Sequence, residues 1–502
     1  MKKIINKEKI CYIAIFAVVI LFVLVGVNSS PLNNAVIQND SAVFQIMGRG
    51  LTKGQIIYKD LFDHKGPIVY VINAMAYIIN PKIGLFIIET LINYVGAIFI
   101  FKTARIFVGR KVSGTLTVTY FAMIFLFASG GNFTEEYSMT FTSIAMYCII
   151  RILYKNEYEN KWLWISIGVT FAINFFIKPT YIGIWIAFGI IQLIYSVKEK
   201  KIKKLIKYIW YMTIGIFVVT VPIIVYLIAN NDINDFINAY FVLNMKYANS
   251  TIKEKVEKFV LLTIQSKSIL LIIFSFICNI VVIANKKLNI KNKAFITLFY
   301  VITLILTAWA PNLYRHYLIQ LATVNILELL GMCLYIKENL ILKDYEKEIL
   351  KDIPQNLIFS FIIIAILIPT LYNIACDGGI CSKEAKYYKE YYAKLEELKP
   401  YLSEDDEIIV LGNDSYYYIY LNKYPKFKYF FQYPIIKSDS EIKRETEMYV
   451  LNEKPKMIIM NNDDSRRYEK VYDDNFKEYI KNNYQKYDNH SYFKYYVLKE
   501  KN

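Results

Sequence analysis

NDSAVFQIMGRGLTKGQIIYKDLFDHKGP, residues 39–67, follows the first apolar run of the chain and gathers Lys59, Asp60, Asp63, His64 and Lys65 into the short stretch YKDLFDHK. Ionisable side chains are costly to keep beside lipid, so such a cluster reads first as a functional site. Where it lies depends on which apolar runs around it cross a bilayer. The run after it, Ile68 to Ile79, covers only ~18 Å of a ~30 Å hydrocarbon core as a helix, and so reads as an interfacial helix. The whole loop from Ser30 to Gly84 then stays on one side of the membrane.

The rest of the chain makes that membrane certain in kind. Over 502 residues it is 55% hydrophobic, with a mean hydropathy of +0.30, and apolar runs alternate with short charged loops. That pattern excludes a soluble multidomain enzyme and defines a polytopic α-helical membrane protein whose partner is the lipid bilayer. The net charge of +16 comes from Lys and Arg scattered between spans. No single basic face with interleaved aromatics exists, so nucleic acid is not a partner. The start, MKKIINKEKI before CYIAIFAVVILFVLVGV, has the look of a signal peptide with a poor cleavage site, and reads as an uncleaved first helix.

Spans are expected near 11–29, 84–105, 112–129, 137–153, 162–178, 180–197, 208–229, 264–284, 294–310, 318–336 and 357–374. Lys and Arg bias places the N-terminus in the cytoplasm, with the basic segments at 2–9, 105–111, 151–161, 198–207, 286–293 and 337–351 on that side. The loop at 30–84, the segments at 130–136 and 311–317, the turn at Lys178 and the loop 230–258 then fall outside. Residues 1–374 read as the transmembrane domain and 375–502 as a small extracytoplasmic α/β domain. In that tail, residues 382–399 read as an amphipathic helix, EIIVLG and KMIIM as buried strands and SYFKYYVLK as a final alternating strand. Cys11, Cys148, Cys278 and Cys333 sit in apolar runs. Cys376 and Cys381, in CDGGIC, are close enough to form a disulfide.

Several of these segments together resemble a known superfamily: Asn39-Asp40 with AVF, GRGL at 48–51, YKDLFDHKGPIVY, ARIFVGRK at 104–111 and RHYLIQL at 315–321. They resemble the GT-C membrane glycosyltransferases, which include protein mannosyltransferases and aminoarabinose transferases. More narrowly, they resemble the bacterial glycosyltransferase family 39 and RgtA/B/C/D-like group. The resemblance spans roughly residues 10 to 375. It implies a GT-C fold with about 11 transmembrane helices and interfacial helices in the first outer loop. It also implies transfer of a sugar from a polyprenyl-phosphate carrier to a cell-envelope acceptor on the outer face of the cytoplasmic membrane.

The resemblance assigns Asp40 as the general base, a carboxylate that takes the proton of an attacking hydroxyl. Asn39, Asp40 and Ser41 are also good helix caps, and the two roles can coexist. Ser41 stands where protein mannosyltransferases carry Glu, which weighs against a peptide acceptor. Asp60 and Asp63 with His64 are the implied second acidic site. Three readings of it stay open: binding acceptor hydroxyls, orienting the base, or holding a divalent cation (Mg or Mn) with Asp40 and Asp63. The alternative is a solvated loop with a weak Asp63–Lys65 ion pair. A departing lipid phosphate needs positive charge, for which Lys65, Lys178, Arg315 and His316 are the outer-face candidates. The lysines could equally snorkel to headgroups. Glu135 and Glu136 either favour a helix N-terminus or bind acceptor.

No Walker loop, GxGxxG or HExxH occurs, and three histidines are too few for a multi-histidine zinc centre. The rival readings are a transporter or flippase of lipid-linked sugars, or an inactive protein of the same fold. Repeated halves and midplane polar groups would mark a transporter, whereas the polar groups here cluster on one face.

Overall fold

The computed structural model describes residues 2–33, 37–127, 130–247, 250–265, 269–286, 288–309, 314–339, 393, 395–433, 435–437, 439–461, 470–487 and 493–499. Its helices are α1 (Lys2–Gly26), α2 (Asn39–Thr52), α3 (Pro67–Ile79), α4 (Gly84–Phe107), α5 (Arg110–Phe127), α6 (Thr134–Lys155), α7 (Lys161–Phe175) and α8 (Gly183–Lys198). They continue with α9 (Ile202–Ala229), α10 (Ile233–Ile237), α11 (Leu243–Tyr247), α12 (Ile252–Gln265), α13 (Ile269–Ala284), α14 (Ile290–Ala308) and α15 (Leu321–Asn339). Among the described residues five segments are long and apolar enough to cross a membrane: Glu8–Gly26, Gly84–Phe107, Ile202–Ala229, Ile290–Ala308 and Arg315–Tyr335. The expected run at 357–374, most of the helix at 382–399, the domain boundary at 375 and the Cys376–Cys381 pair lie outside the described residues.

Compactness divides the chain into two units. The first comprises Met1–Ser30, Phe86–Ile224 and Ser250–Asp377; the second comprises Pro31–Leu85, Val225–Asn249 and Gly378–Asn502. The tail is therefore grouped with the first loop and with residues 225–249, segments the sequence reading kept in the transmembrane domain.

The first unit is a helical bundle. Leu321, Val324 and Leu327 of α15 are buried in one apolar core with Phe121 of α5, Ile149 of α6 and Phe299 of α14. On α9, by contrast, Ile206, Trp210, Phe217 and Val221 face outward, as an apolar stripe must when its solvent is lipid.

In the second unit α2 packs on α3, and the short α3 starts with Pro67 at its first turn, where the missing N–H costs nothing. Gly48 is what lets the two helices touch: a Cβ there would stand 2.6 Å from the backbone nitrogen of Ala74. The expected loop 230–258 is instead largely helical, with α10, a π-helical turn at Asn238–Val242, α11 and the start of α12. Phe236, Ala239, Tyr240 and Leu243 recur every three or four residues and are buried, a helical face too short to register as a span.

The tail forms a four-stranded sheet of order β1-β2-β4-β3, from β1 (Ile408–Val410), β2 (Met457–Asn461), β3 (Tyr484–Tyr487) and β4 (Phe493–Leu498). β1 and β2 run parallel, Ile409 opposite Ile458, joined through the helix Ser440–Glu453. β4 is antiparallel to both β2 and β3. Three of these strands are the ones expected from EIIVLG, KMIIM and SYFKYYVLK. β3 carries only polar and tyrosine side chains, YQKY, and gave no apolar signal.

Candidate functional site: two polar clusters

The first cluster is built by the loop between α2 and α3, in the second unit. Asp40 lies exposed in the first turn of α2, where its charge favours the helix N-terminus. The N-cap is Gln38, without a side-chain bond, so none of Asn39, Asp40 and Ser41 serves as the cap. The loop itself is irregular, and Tyr58 sits in the left-handed region at φ 68°, a conformation that costs a non-glycine residue of order 1–3 kcal/mol. What holds it there is burial and bonding. Tyr58 is fully buried, and its hydroxyl donates to the Lys65 carbonyl at 2.8 Å.

Asp63 is 1% exposed, which replaces the solvated-loop reading with a built site. Its carboxylate accepts from the Tyr70 hydroxyl at 2.9 Å and from the His64 backbone N–H at 2.7 Å. The His64 ring faces it, with Nδ1 3.2 Å from Oδ1, while Nε2 lies 2.7 Å from the Lys65 ammonium. Since Lys65 can only donate, the neutral ring is assigned with its proton on Nδ1, toward Asp63. Burial pushes the Asp63 carboxyl up, but the Lys65 charge and the His64 bonds outweigh it and leave it below the usual carboxylate range. Burial and then Lys65 push the His64 ring down, against the pull of Asp63 and of Asp40. Asp40 is thus within electrostatic reach of the ring. Asn244 of α11 braces the loop by donating to the His64 carbonyl at 2.8 Å.

Asp60 does something else. Its Oδ2 accepts from the Ile56 backbone N–H at 2.8 Å, closing the turn in which it sits. The three-residue spacing to Asp63 does not put both carboxylates on one helical face, because the segment is not helical.

The second cluster belongs to the first unit and draws on three separated segments. Glu135, in the first turn of α6, is buried and receives the Lys178 ammonium at 3.0 Å and the Tyr181 hydroxyl. Lys178 also lies 3.8 Å from the centre of the Tyr317 ring, a cation–π contact. It does not snorkel. His316 stacks on Phe133 at 4.9 Å, with Nε2 3.9 Å from the same Glu135 oxygen. Arg315 donates to the Leu126 carbonyl at 2.6 Å, in the last turn of α5, where a cation also suits the helix dipole. Glu136 accepts from Asn93 at 2.7 Å.

Sequence reasoning passed over Glu89. Buried in α4, it accepts from the Ser29 hydroxyl and the Asn132 backbone N–H. Gly131, at φ 72°, makes this approach feasible, since a Cβ there would stand 2.3 Å from Glu89 Oε1. Glu328 of α15 is likewise buried, bonded to Ser275 and to Asn279 at 3.1 Å. A lone carboxylate inside an apolar run was the available signal for both. Among the described residues no group of three or more His, Cys, Asp or Glu is arranged to hold a metal ion.

This is a multi-pass membrane protein with the GT-C fold. A crystal structure of ArnT from Cupriavidus metallidurans bound to undecaprenyl phosphate superposes at TM-score 0.61, with 9% identity, over 98% of both chains. The same protein in the apo state gives TM-score 0.59, 10% identity and 98% of both chains. Archaeal AglB from Archaeoglobus fulgidus, at TM-score 0.49 and 11% identity over 98% of this chain and 75% of its own, is too distant to bear on the fold. The family model described as "Putative competence-induced protein Ccs4 N-terminal domain" matches residues 2–368, and the chain belongs to that family. Its description differs from the narrower family 39 grouping; the superfamily resemblance is met by the fold. No curated protein matches the chain at a significant level.

Proposed function

We propose that the protein transfers a sugar from a polyprenyl-phosphate carrier to a cell-envelope acceptor on the outer face of the cytoplasmic membrane. The observation that carries this reading is Asp40, exposed in the first turn of α2 and within electrostatic reach of His64, whose ring faces the buried Asp63. An exposed carboxylate can reach an acceptor hydroxyl and accept its proton as the hydroxyl attacks. Asp63 and His64 are then positioning residues, and Asp60 shapes the turn. For the departing lipid phosphate, whose charge develops as the glycosidic bond breaks, the candidate cations are Lys65 in the second unit and, separately, Lys178, Arg315 and His316 in the first. The polyprenyl-phosphate donor is supported by the shared fold with ArnT, whose crystal structure holds undecaprenyl phosphate.

The test is reconstitution in proteoliposomes with polyprenyl-phosphate sugars, following donor consumption for wild type and Asp40→Asn. Consumption by wild type and its loss in the variant support the reading. An equally fast variant removes Asp40 as base. Intact donor together with labelled lipid crossing the bilayer makes the protein a flippase.

A further inference from the structure

A second-unit cavity of about 450 Å³ has no part in the chemistry above. Its volume lies within the ~300–1,000 Å³ typical of small-molecule sites. The first loop supplies Tyr58 and Phe62 to its wall, the α10–α11 segment supplies Asp235, Asn238 and Lys246, and the tail supplies Lys428, Tyr429, Asp439, Glu441 and Glu445.

Charge in this cavity is unbalanced. Four carboxylates face two ammonium groups. Asp235 is matched by Lys428 at 2.9 Å, Asp439 caps the helix Ser440–Glu453 through the Glu441 N–H at 3.0 Å, and Glu441 has a long 3.4 Å contact to Arg444. Glu445 forms no hydrogen bond or ion pair among the described residues. Burial, and then Glu441, raise its carboxyl above the usual range, against the pull of Lys428. Asp232, wholly buried one turn before Phe236 and next to Asp235, is not part of the cavity wall, and neither of its carboxylate oxygens has a partner among the described residues. The same wall includes aromatic rings, with those of Phe62 and Tyr429 5.0 Å apart.

We infer that this cavity binds an acceptor glycan unit carrying a protonated amine. Unmatched carboxylates favour a cation, and tyrosine faces favour both an ammonium and the apolar face of a pyranose ring. Lys246, Lys428 and Asn238 supply the donors that sugar hydroxyls need as acceptors. The two lysines would repel a bare polyamine. The inference rests on the transferase reading for the ligand's role as acceptor. Its test reads binding with no donor present, so its failure is separable from a failure of transfer.

The experiment titrates the full-length protein in nanodiscs with a glucosamine tetramer, its N-acetylated form and spermine. The glucosamine tetramer is expected to bind about ten-fold tighter than the other two, and Glu445→Gln to remove most of that preference. Tyr429→Leu, with folding checked by circular dichroism, should weaken both oligosaccharides together. No binding, equal affinity for the two tetramers, spermine binding as tightly as the glucosamine tetramer, or a preference unchanged in both variants overturns the inference.

Discussion

The two polar clusters differ in how they are encoded. In the second unit, Asp63, His64 and Lys65 are consecutive, and the chain they form is written in one line of sequence. In the first unit, Glu135, Lys178 and His316 are separated by tens of residues and meet only because α6, the turn after α7 and the entry to α15 bring them together. The difference teaches that a local cluster can be recognised as a site from sequence, whereas a dispersed one is visible only as unexplained single charges. It also separates two kinds of dependence, since the local cluster relies on a strained loop and the dispersed one on helix packing.

That contrast can be broken or sharpened by substitution. The largest effect is expected at the exposed base: Asp40→Asn should slow turnover by about 10²–10⁴-fold while leaving the melting temperature unchanged. A parallel fall in stability would mean that Asp40 is structural. Asp63→Ala strips the buried chain of its acceptor and should cost about 1.5–3 kcal/mol by thermal unfolding, with activity lost as a consequence. Retained stability would return the loop to the solvated reading. Lys178→Met leaves Glu135 buried with Tyr181 as a remaining partner, and should raise the donor KM by about ten-fold with a smaller change in kcat. If kcat falls alone, Lys178 does not bind the donor in the ground state.

A further effect is a pH dependence. The folded pKa of Asp232 is raised to about 7, chiefly by burial and then by Asp235. A carboxyl whose pKa is raised on folding contributes stability at low pH and loses it as pH climbs from the unfolded value of ~3.9 through the folded one. His64 works in the opposite sense, because its folded pKa is depressed, and its contribution is lost as pH falls below the unfolded value of ~6.5. Asp232→Asn should therefore raise the melting temperature at pH 8 and leave it unchanged at pH 4, which differential scanning calorimetry would resolve. An equal shift at both values would trace the effect to packing instead.

Much of the fold was legible because apolar length and alternation are strong signals in a sequence. The helix at Pro67, the helices at 84, 110 and 290, and three tail strands stand where hydropathy and alternation put them. The helices at 233–247 were missed because their buried face is only four residues long. At the site, the identity of the residues was legible and their roles were not. Asp60 and Asp63 look equivalent in DLFD, yet one closes a turn through Ile56 and the other is buried against Tyr70. Only the left-handed Tyr58 and the bracing Asn244, remote in sequence, make that distinction. Lys178 read equally as a lipid anchor or a ligand-binding group until Glu135 and Tyr317 were seen around it.

The central claim is group transfer from a lipid phosphate. It is tested most directly by incubating the reconstituted wild-type protein with a sugar-labelled polyprenyl phosphate and cell-envelope material, then quantifying bare polyprenyl phosphate and labelled acceptor. The two should appear in equal amounts. Donor that remains intact at long times, in a folded preparation shown to bind it, would contradict the account.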